Sequence, residues 1–72
     1  MQNDLELQEQ IRKRLIESIK SSGMSQTAIA QKAKISVSML TDYKNKLPSL
    51  ITFARLCEIL DISSDEILGF RK

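Results

Sequence analysis

An all-helical fold follows from three features of this sequence. Apolar side chains recur at helical spacing in successive runs, and small polar residues suited to capping open each run. Only two Gly and one Pro occur in 72 residues, which disfavours a many-turned β-sandwich or barrel. That length predicts one domain, residues 1–72, with no room for a separate sensor or oligomerisation domain. A core this small is marginal, so compact helical packing or a partner chain is expected. The 42% hydrophobic content argues for a folded globule and against disorder.

The first helix is read through DLELQEQIRKRLIESIKSSG, where Leu5, Ile11, Leu15 and Ile19 keep helical spacing with Ile16 beside them. Asn3 and Glu6 resemble a capping pair and Gly23 suits the far end, which gives a helix from roughly Asp4 to Ser22. Glu9 and Lys13 have the favourable i,i+4 order on its outer face. Met24, a packing residue, bridges to Ser25, the N-cap of QTAIAQKA; there Ile29 and Ala33 face the core, and Ala28 and Ala30 permit close helix approach. After a turn at KIS, Ser36 caps VSMLTDYKN, with Leu40 and Tyr43 inward and the Tyr43 hydroxyl at the surface. Met39 is read as a packing residue with partial exposure.

Pro48 and Ser49 stop and restart the chain before LITFARLCEIL, whose stripe is Phe53, Leu56, Cys57 and Leu60. Ser63 and Glu66 form an S-x-x-E capping box for a last turn, SDEILGF. Leu47, Leu50, Ile62 and Phe70 read as satellites of the core, some of them available to a dimer seam.

Several function classes fall away on composition. There is no histidine and one cysteine, Cys57, so zinc sites built from Cys and His are excluded by count. The lone thiol cannot make an internal disulfide, which points to a reducing, cytoplasmic setting. No apolar run approaches a membrane helix, and MQNDLELQEQ is no signal peptide. Catalysis lacks its usual parts: no histidine, no glycine-rich phosphate loop, and no base beside the thiol. No cofactor, metal or small-molecule ligand is expected.

Charge is distributed unevenly. Residues 1–24 sum to zero, and residues 49–72 to −1. Residues 25–48 sum to +3, with Lys32, Lys34, Lys44 and Lys46 set against Asp42. The surplus positive charge sits on two short helices joined by a three- or four-residue corner, at about 25–45, which is a helix-turn-helix pattern. The second of these, Ser36 to about Lys44, is about 13 Å long at 1.5 Å per residue and suits a major groove about 12 Å wide.

The segments SQTAIAQKA, ISVSMLTDY and PSLITFARLCEILDISSDEIL, in that order and spacing, resemble the lambda-repressor-like (Cro/CI-type, XRE) helix-turn-helix family, over the run from Ile11 to Leu68. The resemblance implies a five-helix DNA-binding domain that reads a double-stranded, pseudo-palindromic operator as a homodimer. It implies base-edge contacts from Ser36, Val37, Ser38, Thr41 and Asp42, and phosphate contacts from Gln26, Thr27, Lys44, Asn45 and Lys46. A stand-alone domain of this kind looks like a phage or mobile-element switch protein.

Three departures from the family pattern qualify that expectation. Lys34 stands at the corner where the family usually has Gly; a left-handed backbone there costs on the order of 1 kcal/mol. The segment YKNKLPSL is about two residues short in a loop that usually grips phosphate. The base-reading set lacks Arg, Lys, Gln and Asn, and Asp42 either accepts from cytosine N4 or belongs to a surface that recognises protein. The second alternative is an antirepressor that binds the DNA-binding domain of a CI-type repressor, with Val37, Met39, Asp42 and Leu47 as its interface.

Overall fold

The computed structural model describes residues 3–70. Five helices follow one another: α1 Asp4–Ser21, α2 Gln26–Ala33, α3 Val37–Asp42, α4 Leu50–Leu60 and α5 Ser64–Leu68. No strand occurs among the described residues. Each helix starts at a capping side chain, because the first N–H groups of a helix have no partner within it. Asn3 Oδ1 accepts from the Glu6 N–H at 2.8 Å, Ser25 Oγ from Ala28 at 3.1 Å, Ser36 Oγ from Met39 at 3.1 Å and Ser49 Oγ from Thr52 at 3.3 Å.

Ser63 departs from the expected capping box. Its hydroxyl accepts from the Asp65 N–H at 3.2 Å, while the Glu66 N–H bonds the Ser63 carbonyl at 3.1 Å. The first turn of α5 is wound too tightly for the hydroxyl to reach one residue further.

Left-handed residues set the turns between helices. Lys34, at φ 61° and ψ 42°, ends α2; its N–H bonds the Gln31 carbonyl at 3.2 Å and the Ile35 N–H reaches back to Ala30 at 3.0 Å. That closed turn is the corner that aims α3. Asp61, at φ 54°, ends α4 the same way, with the Ile62 N–H on the Cys57 carbonyl at 3.1 Å.

Leu15, Ile19, Ile29, Ala30, Ala33, Leu40, Tyr43, Leu56 and Ile67 form one buried cluster. Within it α2 packs against α3 and α4, and α1 packs against α5. Phe53, Leu60, Ile62 and Met24 pack at its margin.

Four sequence expectations change here. Leu5 is 78% exposed because the first turns of α1 run past the body of the fold, with residues 4–9 all exposed. Leu50 and Phe70 are not core satellites: they are 82% and 78% exposed. Leu50 lies within about 20° of buried Cys57 around α4, so its exposure comes from its place at the helix's first residue and not from an outward face. Tyr43 is only 2% exposed, so its hydroxyl is inside, against Thr52, and not at the surface.

Candidate nucleic-acid interface

The candidate reading surface is built on α3. Leu40 and Tyr43 bury its inner side, leaving Val37, Ser38, Thr41 and Asp42 exposed on the outer one. Their i, i+1, i+4, i+5 spacing puts them on a single helical face. The helix is shorter than its sequence suggests: six residues, about 9 Å. It stops at Tyr43 because the next amides bond in tighter patterns. Lys44 donates to Thr41 at 3.2 Å and Asn45 to Asp42 at 2.8 Å, each three residues back instead of four.

Hydrogen bonds within the helix decide what that face can offer a base. Ser36 Oγ accepts from Met39 and shares a proton with Ser38 Oγ at 3.2 Å. Thr41 Oγ1 donates to the Val37 carbonyl at 3.1 Å. The Asp42 carboxylate has no partner among the described residues. One hydroxyl proton is therefore free across the Ser36–Ser38 pair, whereas Thr41 and Asp42 present only acceptors.

The expected phosphate contacts flank this face. Gln26 and Thr27, both exposed, are the first two residues of α2 after the Ser25 cap. Lys44, Asn45 and Lys46 form the exposed turns that continue α3.

The expected protein-binding set is not brought together. Val37 and Met39, each 40% exposed, are two positions apart on a helix and so face nearly opposite ways. Leu47 instead lines an apolar groove of about 220 Å³ with Ile11, Pro48, Leu50, Phe53 and Leu68.

Residues outside the outer face fix the angle of α3, and sequence reasoning did not assign them. The Tyr43 hydroxyl bonds the Thr52 side chain, whose Oγ1 accepts from Ser49 Oγ at 3.0 Å. This small polar node ties the end of α3 to the first turn of α4. Burial pushes the Tyr43 phenol above its ordinary value, and the Thr52 bond offsets part of that rise. The signal was present in the S-x-x-T spacing of Ser49 and Thr52, which matches a helix cap. Cys57 is a buried side chain of α4 whose thiol burial pushes upward. That is the environment of an unreactive core cysteine.

No helix of the described residues is long and apolar enough to cross a membrane. Among the same residues no three His, Cys, Asp or Glu side chains gather as a metal site would require.

The family model described as "Helix-turn-helix" matches residues 15–67, well over half of the chain. No curated protein and no solved structure matches it. With two short helices set by a left-handed corner at Lys34, and a third helix holding the unit from behind, the chain belongs to the lambda-repressor-like helix-turn-helix family of DNA-binding regulators.

Proposed function

We propose that residues 1–72 act as one Cro/CI-type domain, a sequence-specific transcription regulator of a phage or mobile-element switch working in the cytoplasm. In this reading α3 enters the major groove and Ser36, Val37, Ser38, Thr41 and Asp42 face base edges. Gln26, Thr27, Lys44, Asn45 and Lys46 hold the phosphates on either side, and no catalytic step is involved. The observation that carries it is the exposed outer row of α3, with basic turns directly beyond it.

The hydrogen-bond inventory makes the reading more specific. A face rich in acceptors suits bases that present amino groups in the major groove, adenine N6 and cytosine N4, with Val37 against a thymine methyl. Guanine, which offers two acceptors, meets only one free hydroxyl proton.

A homodimer accounts for the apolar groove. Leu50 is 82% exposed yet also lines that groove, so one surface supplies both a knob and a hollow. A two-fold interface needs such self-complementarity, since the same patch serves both partners.

The antirepressor reading draws support from one feature, the unpaired Asp42 carboxylate at the end of α3. It would meet a basic surface on a partner repressor. The separation of Val37, Met39 and Leu47 speaks against that set as a single docking patch.

The test is a titration of wild type and Asp42→Asn against duplex DNA from the protein's own genetic neighbourhood, from low to physiological salt. It is repeated with the adjacent repressor's DNA-binding domain present. Saturable, sequence-dependent binding with a steep salt slope supports the regulator. Loss of one base preference in Asp42→Asn assigns that residue to cytosine, whereas uniformly tighter binding assigns it to repulsion. DNA binding that is weak and without preference, together with Asp42-dependent capture of the repressor domain, would replace the regulator with the antirepressor.

A further inference from the structure

A charged hollow, separate from the apolar groove, lies between α1 and the turn that follows α3. We infer that this hollow is a seat for one phosphate of the bound DNA, so that α1 grips the operator backbone together with the recognition-helix turn. The inference rests on the DNA-binding reading above. The hollow measures about 430 Å³ and is lined by Arg12, Lys13, Lys20 and Lys44 with Glu9 and Glu17. Four cations against two carboxylates leave it electropositive, and none of the four forms an ion pair with another described residue.

Arg12 makes the hollow more than a charged patch. Its Nε is shielded from solvent and has no hydrogen-bond partner, the one such buried side-chain atom among the described residues. That shielded Nε is closed to a ligand and holds the guanidinium against the wall, while the two Nη atoms, neither buried nor bonded to a described residue, present the donor fork that phosphate oxygens match. Lys44 supplies a mobile point charge from the opposite wall.

Position supports the same ligand. The Lys44 N–H bonds the Thr41 carbonyl, so the hollow begins where the outer row of α3 ends. A DNA strand running past the end of α3 meets it next. Arg12 and Lys13 precede residue 15, where the family match starts, so the family reading assigns these two nothing. Glu17 carries the sign of phosphate and limits the grip of the seat.

The experiment compares Arg12→Gln, Arg12→Lys and Glu17→Gln with wild type on operator and unrelated duplexes. It combines salt titration with phosphate-ethylation interference, and circular dichroism melts check that each variant folds. Arg12→Gln is expected to weaken binding to both duplexes by the same factor. It should lower the magnitude of the salt slope by about 0.9, the share of one B-DNA phosphate. It should also abolish the interference from one ethylated phosphate per half-site. Arg12→Lys should keep most of the slope, and Glu17→Gln should tighten binding to both duplexes.

If wild type binds with a steep slope but Arg12→Gln keeps that slope and every interfering phosphate, the inference is overturned and the regulator reading stands. If wild type does not bind DNA, both fall. Should Arg12→Gln not fold, an unchanged affinity in Glu17→Gln overturns the seat, and a tighter one supports it.

Discussion

Arg14 Nη1 donates to the carbonyl of Ile67 at 3.4 Å, joining residues 53 positions apart. Nη2 of the same guanidinium donates to Gln10 Oε1 at 3.3 Å, one turn back along α1. The cation thus sits at the C-terminal end of α5, where the helix dipole favours positive charge. Gly69 leaves it room: a Cβ there would lie 2.6 Å from Nη1. One side chain of α1 therefore both caps and covers the last helix.

Gly69→Ala should cost more than Gly23→Ala. Both glycines have positive φ, 87° and 79°, and Ala in that region is strained by about 1 kcal/mol. Nothing lies within 4 Å of a Cβ at Gly23, so strain is its whole cost. At Gly69 the guanidinium must also move and loosen its bond to Ile67. Urea midpoints in wild-type and Arg14→Ala backgrounds check this. With Arg14 truncated, the two glycine substitutions should cost the same, and a difference that persists would rule out the Arg14 contact as its source.

Lys34→Gly is expected to stabilise the fold by about 0.5–1 kcal/mol. Relief of left-handed strain exceeds the added freedom of glycine in the unfolded chain. A gain of that size raises Tm by a few degrees in a domain of this length. Calorimetry reads the shift; a lower Tm would mean that Lys34 makes compensating contacts through its side chain.

Much of this fold was legible in the sequence because helix caps are local. Ser25, Ser36 and Ser49 each announce a helix through a bond that spans three residues, and the left-handed corner at Lys34 follows from its place between two such helices. The Ser63 cap was legible as a cap, but not its exact partner, since a tight first turn is a backbone choice. Where long-range packing decides, the sequence was silent. The Tyr43 hydroxyl finds Thr52 only once α4 lies against α3. Apolar spacing did pick the inward stripe of α4, Phe53, Leu56, Cys57 and Leu60, but the exposure of Leu50 beside it depends on what packs against the first turn of that helix. The outer face of α3 was read correctly as a set of exposed positions. Its shortage of donors was not, because that depends on rotamers that bond Thr41 to Val37 and Ser36 to Met39.

Tyr43→Phe should destabilise the protein by about 1 kcal/mol, the usual net worth of a buried hydrogen bond, and should change its response to alkali. Burial raises the folded-state phenol above its ordinary value of 10.0. Below pH 10 the phenol is protonated in both the folded and unfolded states, so its contribution is constant. As pH rises through 10 the unfolded chain loses the proton first, and stability falls until the folded value is passed. Cys57 acts in the same direction from its ordinary value of 9.0. Urea midpoints between pH 7 and 11 should decline from about pH 9 in wild type. In Tyr43→Phe the part of the decline above pH 10 should be smaller, and an unchanged decline would place the phenol in water and not against Thr52.

Leu50→Lys tests the proposed dimer without threatening the fold. The side chain is 82% exposed, so the substitution removes little buried area and should shift the urea midpoint by less than about 0.5 kcal/mol. In a two-fold interface the same change places two ammonium groups beside two apolar hollows, where burying an unpaired charge is costly. Sedimentation equilibrium should show the wild type self-associating and the variant as a monomer. On a two-half-site operator the variant should bind more weakly while keeping its affinity for an isolated half-site. Leu5→Lys is the control: Leu5 is nearly as exposed, at 78%, but does not line the groove, and it should leave association unchanged. Equal loss of association in both variants would move the seam onto the α1 overhang, and no loss in either would remove the groove from the dimer.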